Sequence, residues 1–150
     1  AYIDMIKQVE LIDLKTLNAC YEDLLLKKEE TRISERNRIM EMLKPDAAKA
    51  ENERNHRTKA AAKLFLETDS RIAVETPLNY PCSPDNLVQA AGVEQSAYQA
   101  SLDNLIRLNL IVRCRRSDLT GSVEQRAGNP QKHLICMTAL GVSFVETCLP

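Results

Sequence analysis

Near residue 109 the hydrophobic period of this chain changes, and the change limits what its second half can fold into. Upstream, Leu87, Val88 and Ala91, and then Tyr98, Leu102, Leu105 and Ile106, recur at spacings of three and four, so each set turns one helical face inward. Downstream, residues 110–116 read LIVRCRR and residues 133–137 read HLICM, two β-favouring runs. Gly121, Gly128, Asn129 and Pro130 lie between them, which makes the pair a hairpin with a long loop. The helices carry their own punctuation. Ser83 suits a cap, Pro84 the first helical position and Gly92 the stop; the next helix is expected from about Glu94 to Arg107 after a short turn. After the hairpin, Thr138 caps a last helix with Leu140, Phe144, Val145 and Cys148 on one side.

Toward the N-terminus, Leu14, Leu17, Tyr21, Leu24 and Leu25 predict a core helix over 13–26 with Asp13 as its cap. Tyr2, Ile3, Ile6, Val9 and Leu11 suggest a short helix ahead of it. Residues 27–63 differ in kind, with 11 basic against 7 acidic residues and only Ile33, Ile39, Met40, Met42 and Leu43 as large apolar side chains. From Lys44 to Lys63 there is no large apolar side chain, and a helix there is favoured by its alanines and by pairs such as Glu53 with Arg57, yet it has little to bury. Pro45 separates it from the helix before it, because the residue preceding a proline is pushed out of helical geometry. Leu64, Phe65 and Leu66 return to the core, and residues 71–75 are expected as a short strand beside the hairpin. The fold class expected is mostly α (α+β). It is a single winged helix-turn-helix domain over 1–150, with a helical insertion at about 27–70 and the helix-turn-helix and wing at about 83–137.

Twenty basic and 21 acidic residues give no global field that would draw a polyanion, so charge acts locally. Residues 81–106 hold three acids, Asp85, Glu94 and Asp103, and no base; residues 107–133 hold six bases against two acids. The candidate contact residues are therefore Gln95, Gln99 and Arg107 on the second helix of the pair, with Arg113, Arg115, Arg116, Arg126 and Lys132 on the wing. A helix-turn-helix that reads DNA needs phosphate contacts around that helix, and Asp103 on its outward face opposes them. The expected partner is a protein or a second copy of the chain, self-association being suggested by the unburied helix after Pro45 and by the terminal helices. Nucleic acid held through the basic wing is the competing reading, that of a DNA-binding regulator. No run approaches 18 apolar residues and no secretory signal opens the chain, so no membrane contact and a cytoplasmic address are expected. Ala1 in place of an initiator methionine points to trimming, or to excision from a longer protein.

For catalysis, only His56 and His133 are available as acid–base groups near neutral pH, and neither has a motif around it. His56 lies in ENERNHRTK, the least apolar part of the chain, and reads as a solvated residue; His133 reads as part of the wing. There is no HExxH, no G-x-S-x-G, no Walker loop and no dinucleotide glycine fingerprint. Adjacent acids such as Glu29 and Glu30 point about 100° apart on a helix and share no proton. Cysteines at 20, 82, 114, 136 and 148 are odd in number and never closer than 12 residues, which spells neither a disulfide framework nor a metal knuckle. No catalytic activity, metal or cofactor is expected, and the cysteines are read as small hydrophobes.

Three stretches resemble the bacterial abortive-infection alpha family: YIDMIKQVELIDLKTLNACYED at 2–23, SLDNLIRLNLI at 101–111, and MTALGVSFVETC at 137–148. The likeness lies in a leucine-rich opening helix, in a helix end running into a strand, and in a closing T-x-x-G-x-x-F helix. Asn109 stands at the helix–strand junction where a glycine is more usual, and residues 27–70 lie outside the resemblance. It implies a cytoplasmic bacterial protein linked to phage defence, with this chain as a C-terminal module, and it carries over no active-site residue.

Overall fold

The computed structural model describes residues 2–44, 51–114 and 134–149. In chain order these form α1 (Tyr2–Ile6), α2 (Leu11–Met42), α3 (Glu51–Val74), a 3-10 turn (Pro77–Asn79), α4 (Pro84–Ala91), α5 (Gln95–Arg107), β1 (Ile111–Cys114), β2 (Leu134–Met137) and α6 (Ala139–Cys148). The described protein is mostly helical, with one small antiparallel sheet of two strands. Two compact units are distinguished: Ala1–Leu25 with Thr76–Pro150, and Leu26–Glu75.

The first unit has a continuous apolar core. Leu17, Cys20 and Leu24 of α2, Leu87 of α4, Leu102 and Leu105 of α5, and Phe144 and Val145 of α6 are all buried in it. The Tyr2 ring meets Phe144 edge-on, with centroids 6.0 Å apart, and its hydroxyl bonds Ser143 at 2.7 Å. β1 and β2 pair with Ile111 opposite Met137 and Arg113 opposite Ile135. Both helices of the α4–α5 pair end as the sequence punctuates them. Gly92 is left-handed at φ 63°, and α5 closes with a pair of reversed bonds, Asn109 N–H to the Ile106 carbonyl at 2.9 Å and Leu110 N–H to Leu105 at 3.0 Å. That closure puts Asn109 at φ 59°, a conformation that asparagine tolerates better than other non-glycine residues.

Local details depart from the sequence expectations in several places, among them Leu66 and Leu25, both expected in the core and 70% and 49% exposed because each faces away from its helix's packed side. The core helix does not stop near 26: α2 runs unbroken to Met42. It begins at Leu11, so Asp13 is not its cap but sits in the first turn and accepts the Glu10 N–H at 3.0 Å, the returning arm of a capping box. Residues 71–74 are not a strand; they finish α3, with Ile72 buried. Among the described residues, Cys82 is the one that extends the sheet, bridged to Ile135 by bonds of 2.7 and 3.0 Å. Ser83 occupies the cap position of α4, but its side chain makes no capping hydrogen bond.

In the second unit, Ile39 near the end of α2 and Ala61 and Ile72 of α3 are buried. Polar contacts accompany this burial: Lys28 donates to the Ala73 and Glu75 carbonyls at 3.3 and 3.2 Å, and Arg36 pairs with Asp69 while lying 5.5 Å over the Phe65 ring.

Candidate recognition surface

α5 is amphipathic in the sense its spacing predicts. Tyr98, Ser101, Leu102 and Leu105 are buried, while Gln95, Ser96, Gln99, Asp103 and Arg107 are exposed. The inner side is fixed by polar contacts as well as by apolar ones. Asp13, only 2% exposed, accepts from the Asn104 amide at 2.7 Å, and the same amide donates to the Gln8 carbonyl at 3.0 Å. One turn earlier the Ser101 hydroxyl donates to Thr16 at 3.2 Å, and Thr16 donates to the Ile12 carbonyl at 2.9 Å. Buried groups of this kind are costly unless bonded, so α5 is held in one rotational setting against α2.

The outer strip then has a defined side chain per turn. Gln95 opens the helix, and Gln99 donates to Asp103 at 3.3 Å. Arg113 reaches across from β1 to the same Asp103 carboxylate at 2.7 Å. Arg107, the last helical residue, donates to Gln8 at 3.2 Å and to Asn104 at 2.8 Å. The acid that the sequence left bare on this face is thus met by an arginine of the hairpin, an exposed pair of the kind worth about 0–1 kcal/mol. Of the candidate contact residues, the fold gathers Gln95, Gln99, Arg107 and Arg113 along one strip; Arg115, Arg116, Arg126 and Lys132 lie outside the described residues, as does His133.

Sequence reasoning missed the residues that hold the strip: Gln8, Asp13, Thr16, Ser101 and Asn104. Their signal was faint, an acid three residues after Glu10, because bonds between residues about 90 positions apart leave no local trace.

Elsewhere in the first unit, α2 and α4 border an open cleft of about 320 Å³ lined by Lys15, Asn18, Ala19, Glu22, Ala90 and Ala91. Asn18 donates to Glu22 at 3.0 Å within that lining, and the three alanines supply little to fix a ligand's orientation. The Tyr98 hydroxyl is buried with no hydrogen-bond partner among the described residues. Burial pushes its pKa well above the ordinary phenol value, with Cys20, Cys82 and Asp85 adding to the rise. All five cysteines are free thiols, and Cys136 donates weakly to the Leu78 carbonyl at 3.7 Å. His56 is exposed on α3. Among the described residues no group of three His, Cys, Asp or Glu gathers as a metal site, and no helix is long and apolar enough to cross a membrane. No family model, no curated protein and no solved structure matches this chain.

Proposed function

We propose that this chain is a non-enzymatic recognition module of winged-helix type that docks a protein partner through the outer strip of α5 and the adjoining β1. One observation carries the reading: both described arginines of the surface are already bound to acceptors of their own chain, Arg113 to Asp103 and Arg107 to Gln8 and Asn104. A phosphate-reading surface needs cations that face outward, whereas a strip of ordered amides and balanced charges suits a polar protein surface. The order of α4, turn, α5, β1 and β2 supports the winged arrangement. A place in bacterial phage defence, acting in the cytoplasm, is proposed from the resemblance alone; the three stretches that carry it all contribute to the core of the first unit, as packing motifs do in any winged helix.

A second reading, a DNA-binding regulator contacting backbone through a basic wing, is favoured by the six bases in 107–133 and by the neutralisation of Asp103. Fluorescence anisotropy of labelled duplex DNA and single-stranded RNA, at about 50 and about 200 mM salt, separates the two. The docking reading expects no micromolar binding even at the lower salt. Binding that collapses with salt, and whose salt slope falls by about two contacts on replacing Arg115 and Arg116 with alanine, would establish the second reading instead.

A further inference from the structure

The second half of α2 carries an apolar stripe that the described residues leave about half exposed. Leu26, Ile33 and Met40 stand seven residues apart and are 58%, 50% and 55% exposed. A seven-residue repeat drifts only about 20° per step on a straight helix, so the three side chains form one seam. The side of α2 that packs in the second unit is a different one, marked by buried Ile39 and by Lys28, which donates to the Ala73 and Glu75 carbonyls, while Arg36 stands at the border between the two.

One pair of charges beside the seam, Glu29 and Arg36, has opposite signs on the two sides of Ile33. Glu29 and Glu30 precede it by four and three residues, while Arg36 and Asn37 follow it by three and four. When two such helices run antiparallel with Ile33 against Ile33, Leu26 of one copy meets Met40 of the other. Glu29 of one then comes beside Arg36 of the other on one edge of the seam, and Glu30 beside Asn37 on the opposite edge. In a parallel pair Glu29 faces Glu29 and Arg36 faces Arg36, and like-charge juxtaposition is unfavourable. Both members of that cross-pair are also held within their own chain, Glu29 by Arg32 and Arg36 by Asp69 and the Phe65 ring, and each keeps 45% of its side chain exposed for a second contact. Among the described residues nothing pairs with Glu30.

We infer that this face of α2 is a self-association surface whose occupant is α2 of a second copy, antiparallel and centred on Ile33. The surface does not depend on the α5 strip, so failure of either reading leaves the other standing.

Sedimentation equilibrium of the full chain at about 50 mM salt, from about 5 to about 200 micromolar, is the test, because a small interface of this kind falls in the weak range. The expected result is a concentration-dependent approach to twice the chain mass of 16.9 kDa. Ile33→Glu places two carboxylates opposite each other on the axis and should leave only monomer, with helicity by circular dichroism unchanged because Ile33 is half exposed. Orientation is read by oxidative cross-linking: Leu26→Cys mixed with Met40→Cys should give more disulfide dimer than either variant alone or the parent chain. A monomer throughout the range, a dimer indifferent to Ile33→Glu, or Leu26→Cys cross-linking to itself would each overturn the inference.

Discussion

At the scale of single residues, the closing T-x-x-G-x-x-F stretch shows how a motif of packing is built. Thr138 caps α6 by accepting the Gly141 N–H at 2.9 Å, and it donates its hydroxyl to the Asn109 carbonyl at 2.7 Å, which ties the helix to the end of α5. Phe144 is wholly buried. Gly141 is there for space: a Cβ built on it would lie 2.1 Å from the Leu110 carbonyl oxygen, a backbone atom that cannot step aside. Alanine in a helix interior ordinarily gains about 1 kcal/mol over glycine. Gly141→Ala should do the opposite and destabilise the protein by about 2 kcal/mol or more, read as a lower urea midpoint. An unchanged or raised midpoint would mean that α6 slides away from Leu110 freely. The three residues were visible in the sequence as a pattern, but the reason for the glycine was not, because its partner stands 31 positions earlier.

At the scale of elements, amphipathic periodicity was legible and helix length was not. Burial in the first core ends at Leu24, with Leu25 49% exposed, yet α2 continues to Met42 through residues that favour helix and of which only Ile39 is buried. Pairs three apart, Glu29 with Arg32 and Glu35 with Arg38, run along this extension, and neither glycine nor proline interrupts it. Residues 71–75 read as a strand for a similar reason: Ile72 and Val74 alternate locally, but the helix behind them is already propagating, and continuing it costs less than nucleating a new element. The exposed strip of α5 was readable because it is one face of one helix, whereas its anchoring to α2 was not. That anchoring makes a measurable claim. Asp13→Ala and Asn104→Ala should each destabilise by about 1–3 kcal/mol, and in a double-mutant cycle the pair should show coupling of about 1 kcal/mol or more. Additive effects would mean that Asp13 serves only the Glu10 N–H and leaves α5 to its apolar contacts.

For the molecule as a whole, the two units differ in what an alkaline solution can do to them. Residues 26–75 contain neither cysteine nor tyrosine, so the buried thiols and phenols belong to the other unit. There Cys20 is fully buried, and loss of solvent contact, with Asp23 adding to it, pushes its thiol up to about 12 from an ordinary value of 9.0. A folded-state pKa above the unfolded one means that the neutral form is favoured by folding. Its contribution is complete below pH 9, where both states are protonated, and it is lost as the pH climbs from 9 toward 12, where only the unfolded chain releases its proton. Each group titrating this way removes up to about 1.4 kcal/mol per pH unit, and Tyr98, also raised by burial, joins above its ordinary value of 10.0. The urea midpoint followed from pH 7 to 11 should therefore hold steady to about pH 9 and then fall. Cys20→Ala should start lower at pH 7, because it leaves a small void, and fall less steeply from pH 9 onward. Parallel curves for the two proteins would take the alkaline loss away from Cys20 and assign it to other groups, whereas a flatter curve for the variant would show that this buried thiol carries part of the loss above pH 9, with Tyr98 adding to it at higher pH.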